Sequence, residues 1–401
     1  MHSVEQAREH ILASISTLPV ESVALADALG RFLAEPVRSG LDLPPADNSA
    51  MDGYAVRSQD LASARMERPV ALRLIGHAPA GSVIDTIVGL GTCVRIFTGS
   101  VLPRGADAVV MQEDVRIDEG DASRIIFVDN AAPWENCRLR GEDIKSGVVA
   151  AEAGEKITAP MLSQLAAVGI DSVRATRRPV VGLLATGNEL REPGSPLPPG
   201  GIYESNRIGI AALVRQTGAV PKIYSLVPDD LAAIKSALEK AFAECDAVIT
   251  TGGVSVGDAD FVKAAFTGNG GKLDFWKVAM RPGKPSAFGR WNKKLFFGLP
   301  GNPASALVTF MVLARPALLR MQGARDVFGS TLAAVLAEPL ANPKDRRHFM
   351  RVALDADGYA RSAGTQSSHM VSSLSKSAGV VDVPPQTTLP AGAVVRLMLW
   401  S

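Results

Sequence analysis

Apolar and polar positions set the first outline of the chain. Between residues 179 and 319, short apolar runs alternate with stretches of helical spacing: 180–185, a helix from Asn206, 222–227, a helix from Asp229, 247–250, a helix from Asp258, 296–299 and a helix from Pro303. That alternation predicts a parallel sheet with helices on both faces, and ligands on such sheets gather at the carboxyl ends of the strands. Upstream, the runs 70–74, 93–96, 108–111 and 125–128, joined by glycine-rich connections, predict a small all-β unit. The first forty or so residues and 141–174 carry helical patterns, and they are expected to pack as one split unit. Ser3 with Gln6 predicts a capping box that opens a helix through Ala7, Ile11, Leu12 and Ile15. After Val327 the runs 331–336, 349–354 and 394–399, with an Asp357-Gly358 turn signal, predict a terminal β-barrel or sandwich. The expected class is multidomain α/β plus β, divided as 1–45 with 140–176, 46–139, 177–325 and 326–401.

Composition narrows the partners. Forty-two Lys and Arg against 41 Asp and Glu leave a formal charge of +1, so no global field would hold nucleic acid or an anionic membrane, and any anion site must be local. Cys93, Cys137 and Cys245 are odd in number, widely spaced and without a CxxC, which points to a reducing cytoplasm rather than a disulfide framework or a cysteine zinc site. The amino end, Met1 to Arg8, is too charged for a signal peptide and reads as a mature start. The most apolar later stretch, 304–319, is interrupted by Ser305, Arg315 and Pro316, so no segment is expected to reach bilayer-spanning length.

Four segments carry candidate chemistry. Thr250-Thr251-Gly252-Gly253-Val254-Ser255-Val256-Gly257-Asp258-Ala259-Asp260 follows a strand and precedes a helix, where glycines let backbone N–H groups turn towards a phosphate and the helix dipole adds partial positive charge; a ligand-free βα turn is the alternative. The same stretch matches the GxSxG nucleophile elbow, with Ser255 as nucleophile of a serine hydrolase. That reading needs a later histidine, and only His348 and His369 follow, both in the predicted terminal β unit. Glu189, Asp229, Asp230, Asp258 and Asp260 stand at predicted strand ends, where clustered carboxylates would hold Mg²⁺ beside substrate phosphates, or would simply cap helices. Lys277, Arg281 and Lys284 lie in a loop braced by two prolines, which can fix cations for an anion or be an exposed basic turn; Pro300 to Pro303 shape a second turn into a helix. Residues 48–56, 97–99 and 140–143 read by themselves as ordinary turns.

Taken together, SAMDGYAV, RIFTGS with PRGADAVVMQED, RGEDI, TGNEL, IYESN, TTGGVSVGDADF, FWKVAMRPGKP, FFGLPGNPASA and Arg347-His348-Phe349-Met350-Arg351 resemble the molybdopterin molybdenumtransferase family, which includes bacterial enzymes and the E domain of gephyrin. The resemblance implies four subdomains with a molybdopterin-binding fold at the αβα sheet, an elongated homodimer, and Mg²⁺-dependent insertion of molybdate into adenylated molybdopterin with release of AMP. It implies a site shared between subunits, with Asp52 and Thr98 of one chain facing the αβ unit of the other and Asp143 beside Asp52 as a base or supporting group. It places molybdate near Lys277, Arg281, Lys284, Arg351 and Ser368, and the pterin over Thr251, Gly252, Gly253, Ser255 and Gly257 with Pro300 and Pro303, Ser255 then being a hydrogen-bonding group. Mg²⁺ would lie among Glu189, Asp229 or Asp230, Asp258 and Asp260. A molybdopterin adenylyltransferase, downstream cofactor-modifying proteins and apo-molybdoenzymes are the implied partners. Arg281 stands where family members commonly carry lysine, which keeps the charge but supplies a planar fork. A non-catalytic scaffold, as in gephyrin's receptor anchoring, is the other class of reading.

Overall fold

The computed structural model describes residues 1–253, 261–329 and 331–400. Its centre is a six-stranded sheet: β1 (Val180–Ala185), β2 (Val220–Ile223), β3 (Ala247–Thr251), β4 (Lys272–Phe275), β5 (Ala287–Trp291) and β6 (Lys294–Leu299), in the order β2-β1-β3-β6-β5-β4. The first four strands in that order run parallel, as the alternation predicts. The last two are antiparallel, which corrects the all-parallel expectation. Trp291 faces Lys294 across a two-residue turn whose Asn292 takes φ 56°, the left-handed geometry that lets a tight hairpin follow strand twist.

The inner strands β1, β3 and β6 are almost wholly buried because both faces are covered, whereas the edge strand β2 is largely exposed. Val181, Leu183, Ile249, Phe297 and Leu299 join one core with α1 (Val4–Ala13), α3 (Asn206–Gln216), α6 (Pro303–Thr309) and α7 (Arg315–Met321). Leu184, Val248 and Phe296 point the other way, against α4 (Leu231–Glu244) and α5 (Phe261–Gly268), where Phe266 stacks on Phe296 at 4.2 Å; α2 (Ala159–Ala167) belongs to a separate unit. Ser3 and Gln6 close the expected capping box on α1.

One expectation about length fails. Helical residues run from Pro303 to Met321 without a break, through a π turn at Phe310–Ala314, and this run is long and apolar enough to cross a membrane. Pro316 lies inside this continuous run, just after the π turn, and does not end the helix. The segment's apolarity serves the core, since 83% of its most apolar window is buried. Pro316 cannot donate to the Val312 carbonyl four residues back. Arg8 Nε of α1 donates to that oxygen instead, at 2.9 Å.

Three further units surround the centre. Six strands, with Gly53–Val56 and Thr92–Ile96 inside and Val115–Ile117 at one edge, form the small β unit between two apolar clusters. Val20–Ala24 pairs with Ser172–Thr176, and Val37–Arg38 with Val149–Ala151, over a core that includes Leu165 of α2. At the carboxyl end a sheet runs in the order Met280–Arg281, Arg347–Leu354, Gly379–Val383, Val394–Leu399, Thr331–Val335. It is an open path: no ladder joins its first and last strands among the described residues. Its first strand comes from the predicted basic loop, and Arg281 lies beside His348 in that parallel ladder. The central and terminal sheets are thereby stitched together at Arg281.

Candidate functional site

Strands β1, β3 and β6 end side by side, and beyond their carboxyl ends lies a hollow of about 550 Å³. Thr186, Thr251, Gly252 and Gly253 form its floor, residues 300–303 one wall, and Glu189, Leu190 and residues 202–206 the rim. The amino termini of α3 and α6 open onto it, although the Arg207 N–H is taken by Glu204 and the Ala304 N–H by the Ser368 carbonyl. Gly252 has φ 83°, and a Cβ there would come within 2.6 Å of the Thr186 carbonyl oxygen, so the floor demands glycine. Among the described residues, Thr186 Oγ1 and Asn206 Oδ1, on two lining residues, and Thr250 Oγ1 on β3 are buried without a hydrogen-bond partner. By contrast Glu204 is spent: it accepts from the Arg207 backbone N–H and from Arg207 Nε, both at 2.9 Å.

A second hollow of about 420 Å³ shares Pro285, Pro300, Asn302 and His369 with the first. Arg281, Lys284 and Arg346 line it, with Ser305, Gln366, Ser367 and Ser368 as neutral hydrogen-bonding groups. Among the described residues no carboxylate pairs with Arg281 or Lys284. Asn302 Nδ2 donates to Ser368 Oγ at 3.2 Å and the Ala304 N–H to the Ser368 carbonyl at 3.1 Å, which ties the wall to the start of α6. The basic loop is packed against α6 as well: a Cβ on Gly283, φ 106°, would meet Thr309 Oγ1 at 2.3 Å. Arg351 is fully buried and lies behind this hollow, donating to the Thr365 and Ser367 carbonyls and to Ser373 Oγ. Its guanidinium shapes the wall rather than lining it. Lys277 lines neither hollow; its carbonyl accepts from the His2 N–H at 3.3 Å.

The acidic candidates separate. Glu189 is exposed at the rim of the first hollow. Asp229 and Asn188 bond reciprocally, which brings Asp229 next to the Glu189 loop. Asp230 accepts from the Ala233 N–H at 2.8 Å and caps α4, the alternative that its position at a βα junction had kept open. Asp258 and Asp260, like Ser255 and Gly257, lie outside the described residues. Among the described residues no group of three or more His, Cys, Asp or Glu side chains is arranged to hold a metal ion.

Asp52 and Thr98 meet on the small β unit, in neither hollow of their own chain. The Thr98 N–H and hydroxyl both donate to Asp52 Oδ1 at 2.7 Å, and this pair of bonds, helped by Arg95, holds the carboxyl below the usual carboxylate range. Asp143 is exposed in a third hollow between 141–150 and α2. Sequence reading had not singled out Thr186, Asn206, Asn302, Ser305, Arg346, Gln366 or His369 as lining residues. Asn206 and Asn302 stood inside quoted motifs next to helix starts, a position that could have marked them; Gln366 and His369 sit in an irregular segment with no such signal.

Residues 2–169 match the MoeA N-terminal region (domain I and II), 182–320 the probable molybdopterin binding domain, and 333–400 the MoeA C-terminal region (domain IV). The chain is 38% identical to molybdopterin molybdenumtransferase of Haemophilus influenzae, over 94% of this chain and 93% of that one. It is 36% identical to molybdopterin molybdenumtransferase 2 of Mycobacterium tuberculosis, over 100% and 99%. Its structure resembles the molybdopterin biosynthesis moeA protein of Pyrococcus horikoshii OT3 with a TM-score of 0.86, at 32% identity and full coverage of both chains. Neither the Ser255 hydrolase nor the scaffold reading finds support among these relatives.

Proposed function

Since this chain belongs to the molybdopterin molybdenumtransferase family, and is by that membership a transferase of molybdenum cofactor biosynthesis, we propose that it inserts molybdate into adenylated molybdopterin and releases AMP. The observation that carries the reading is the wall shared by the two hollows. One is polar, glycine-floored and bordered by two helix amino termini; the other is cationic, and its Arg281 and Lys284 have no acid partner among the described residues. A nucleotide-linked pterin and a tetrahedral dianion are two guests that need such different surroundings at close range. Arg281, Lys284 and Arg346 hold molybdate, with Ser368 as hydroxyl partner and Arg351 keeping the 365–368 wall in place. Thr251, Gly252 and Gly253 hold the pyrophosphate from the strand ends, and Pro300 and Pro303 stiffen the dividing wall.

The donor set suits Mg²⁺ of the kind bound by one or two carboxylates plus substrate phosphates: Glu189 faces the hollow and Asp229 stands next to its loop. When bound, the ion supplies charge neutralisation at the phosphates. Asp52 and Thr98 complete the site from a second copy of the chain, a reading supported by their being preorganised while lining neither hollow in their own. The three cysteines are unpaired, in keeping with a cytoplasmic protein supplied by an adenylyltransferase. The test is AMP release from adenylated molybdopterin with Mg²⁺. Release that depends on molybdate is expected; AMP formation indifferent to molybdate, or none at all, removes the reading.

A further inference from the structure

Two further hollows lie where the split unit, the αβ unit and the carboxyl end of the chain meet. They hold about 410 and 880 Å³, share Lys156 and Gln216, and have no lining residue in common with the two hollows of the candidate site. Gln216 ends α3, the 11-residue helix whose first residue, Asn206, lines the first hollow, so a helix about 16 Å long separates the two places. The smaller of the new hollows is cationic. Lys156, Arg178 and Arg215 line it, and no carboxylate does among the described residues. None of the three forms an ion pair among the described residues. Two of them converge on one turn: Arg178 Nη2 donates to the Leu29 carbonyl at 3.3 Å, and a Cβ on Gly30 would lie 3.9 Å from Lys156 Cε. Arg215 stands in the last turn of α3, where it offsets the negative end of the helix dipole; Lys156 and Arg178 lie in no helix and have no dipole to answer. Like charges held beside one turn repel one another, and an anion that bridges them removes that repulsion.

The larger hollow has a different lining. Its Arg315 and Arg325 are accompanied by Glu155 and Asp326, and Phe32, Met161, Leu319, Leu399 and Trp400 give it apolar surface. The half-buried Trp400 ring is held in place by Nε1, which donates to Ser377 Oγ at 2.8 Å. We infer that the two hollows together form a binding site for an aromatic ring that carries a phosphate group. The ring lies against Trp400 and Leu319, where apolar surface is available and the charges have opposite partners nearby. The phosphate lies between Lys156 and Arg178, where only cations stand. Lys156 lines both hollows and marks the point where the two ends of the ligand join.

The test uses 4-bromophenyl phosphate on the intact protein, with inorganic phosphate as the ringless control. Titration calorimetry should show the aryl phosphate binding roughly 10-fold more tightly than phosphate alone. Lys156→Met, at an exposed side chain, and Arg178→Met should each weaken the aryl phosphate roughly 10-fold, and Trp400→Ala should remove its advantage over inorganic phosphate. Arg281→Ala should leave the binding intact, which separates this site from the second hollow. In a crystal soaked with the probe, the anomalous signal of bromine should lie in the larger hollow. Should Arg178→Met fail to fold, Lys156→Met and the soaked crystal still decide. Bromine found only at the candidate site or nowhere, affinity lost with Arg281→Ala but kept with Lys156→Met, or equal binding of the two probes overturns the assignment. None of these readouts needs turnover, so they stand apart from the outcome of the AMP-release assay.

Discussion

Two arginines, one in α3 and one in the basic segment, behave in opposite ways. Arg207 is 3% exposed and every part of its guanidinium is engaged: Nε with Glu204, one terminal nitrogen with both oxygens of Glu192, the other with the Tyr224 carbonyl. Arg281 is half-buried in the second hollow, beside Lys284 and Arg346, and has no acid partner among the described residues. A paired buried charge holds structure, because both desolvated ions are compensated within the chain. Arg281 and Lys284, without acid partners among the described residues, are compensated when an anion arrives. Residue type is the same in the two places; what differs is who completes the pairing.

The comparison breaks if either arginine can be exchanged for the other's behaviour. Arg207→Met should have the largest effect, since it leaves Glu204 buried without a counter-ion: a loss of about 3–5 kcal/mol in chemical denaturation, with half-saturating molybdate unchanged in whatever fraction folds. Arg281→Ala should do the reverse, raising half-saturating molybdate in the AMP-release assay roughly 10–100-fold with little change in unfolding midpoint. A large destabilisation by Arg281→Ala would show that its charge is structural after all.

His348 offers a smaller, pH-resolved contrast. Burial, then the nearby Arg281, Arg351 and Arg346, push its imidazole pKa down from 6.5 to about 4, and neither ring nitrogen has a hydrogen-bond partner among the described residues. The unfolded chain therefore takes up this proton near pH 6.5 and the folded chain only near 4. Between those values the unfolded state binds more protons, so stability should fall as pH drops and level off below about 4. His348→Leu should flatten that part of the denaturation profile; an unchanged slope would assign the acid sensitivity elsewhere.

The smallest effect concerns the small β unit. Thr98→Val removes the hydroxyl bond to Asp52 while keeping the backbone one, so the Asp52 carboxyl should titrate higher, nearer the ordinary carboxylate value, by carbon-13 NMR. Its lowered native pKa contributes stability above the unfolded value and loses it as pH falls through the native one. No movement on Thr98→Val would mean that the backbone N–H alone sets the charge.

Much of the fold was legible because strand and helix signals are local. Residues 180–185 form a strand as predicted, α3 starts at Asn206 and α6 at Pro303. The 222–227 run was less clear: it is strand only to Ile223, with Val227 rejoining through a bridge to Thr186. The β5–β6 hairpin was missed because its turn, Asn292-Lys293, lacks the glycine that usually announces a tight hairpin. The helix from Pro303 runs on past Pro316, which sequence marks as a breaker, and Arg8, distant in sequence, takes up the carbonyl that the proline leaves without a donor.

By itself the sequence determined that an alternating αβ unit exists, that its strand ends carry glycine, threonine and acid, and that a proline-braced segment gathers cations. Those properties depend on neighbours within a turn or a strand. Only the tertiary structure decided which of these groups share a space. Asn206 meets Gly301 across 95 positions of chain and Asn302 meets Ser368 across 66. It also turned part of the basic segment into an edge strand beside His348, placed Arg351 behind a wall instead of in it, and committed Asp230 to a helix cap. A side chain's charge is written in its residue type, but whether that charge is already compensated depends on contacts through space, which no local pattern records.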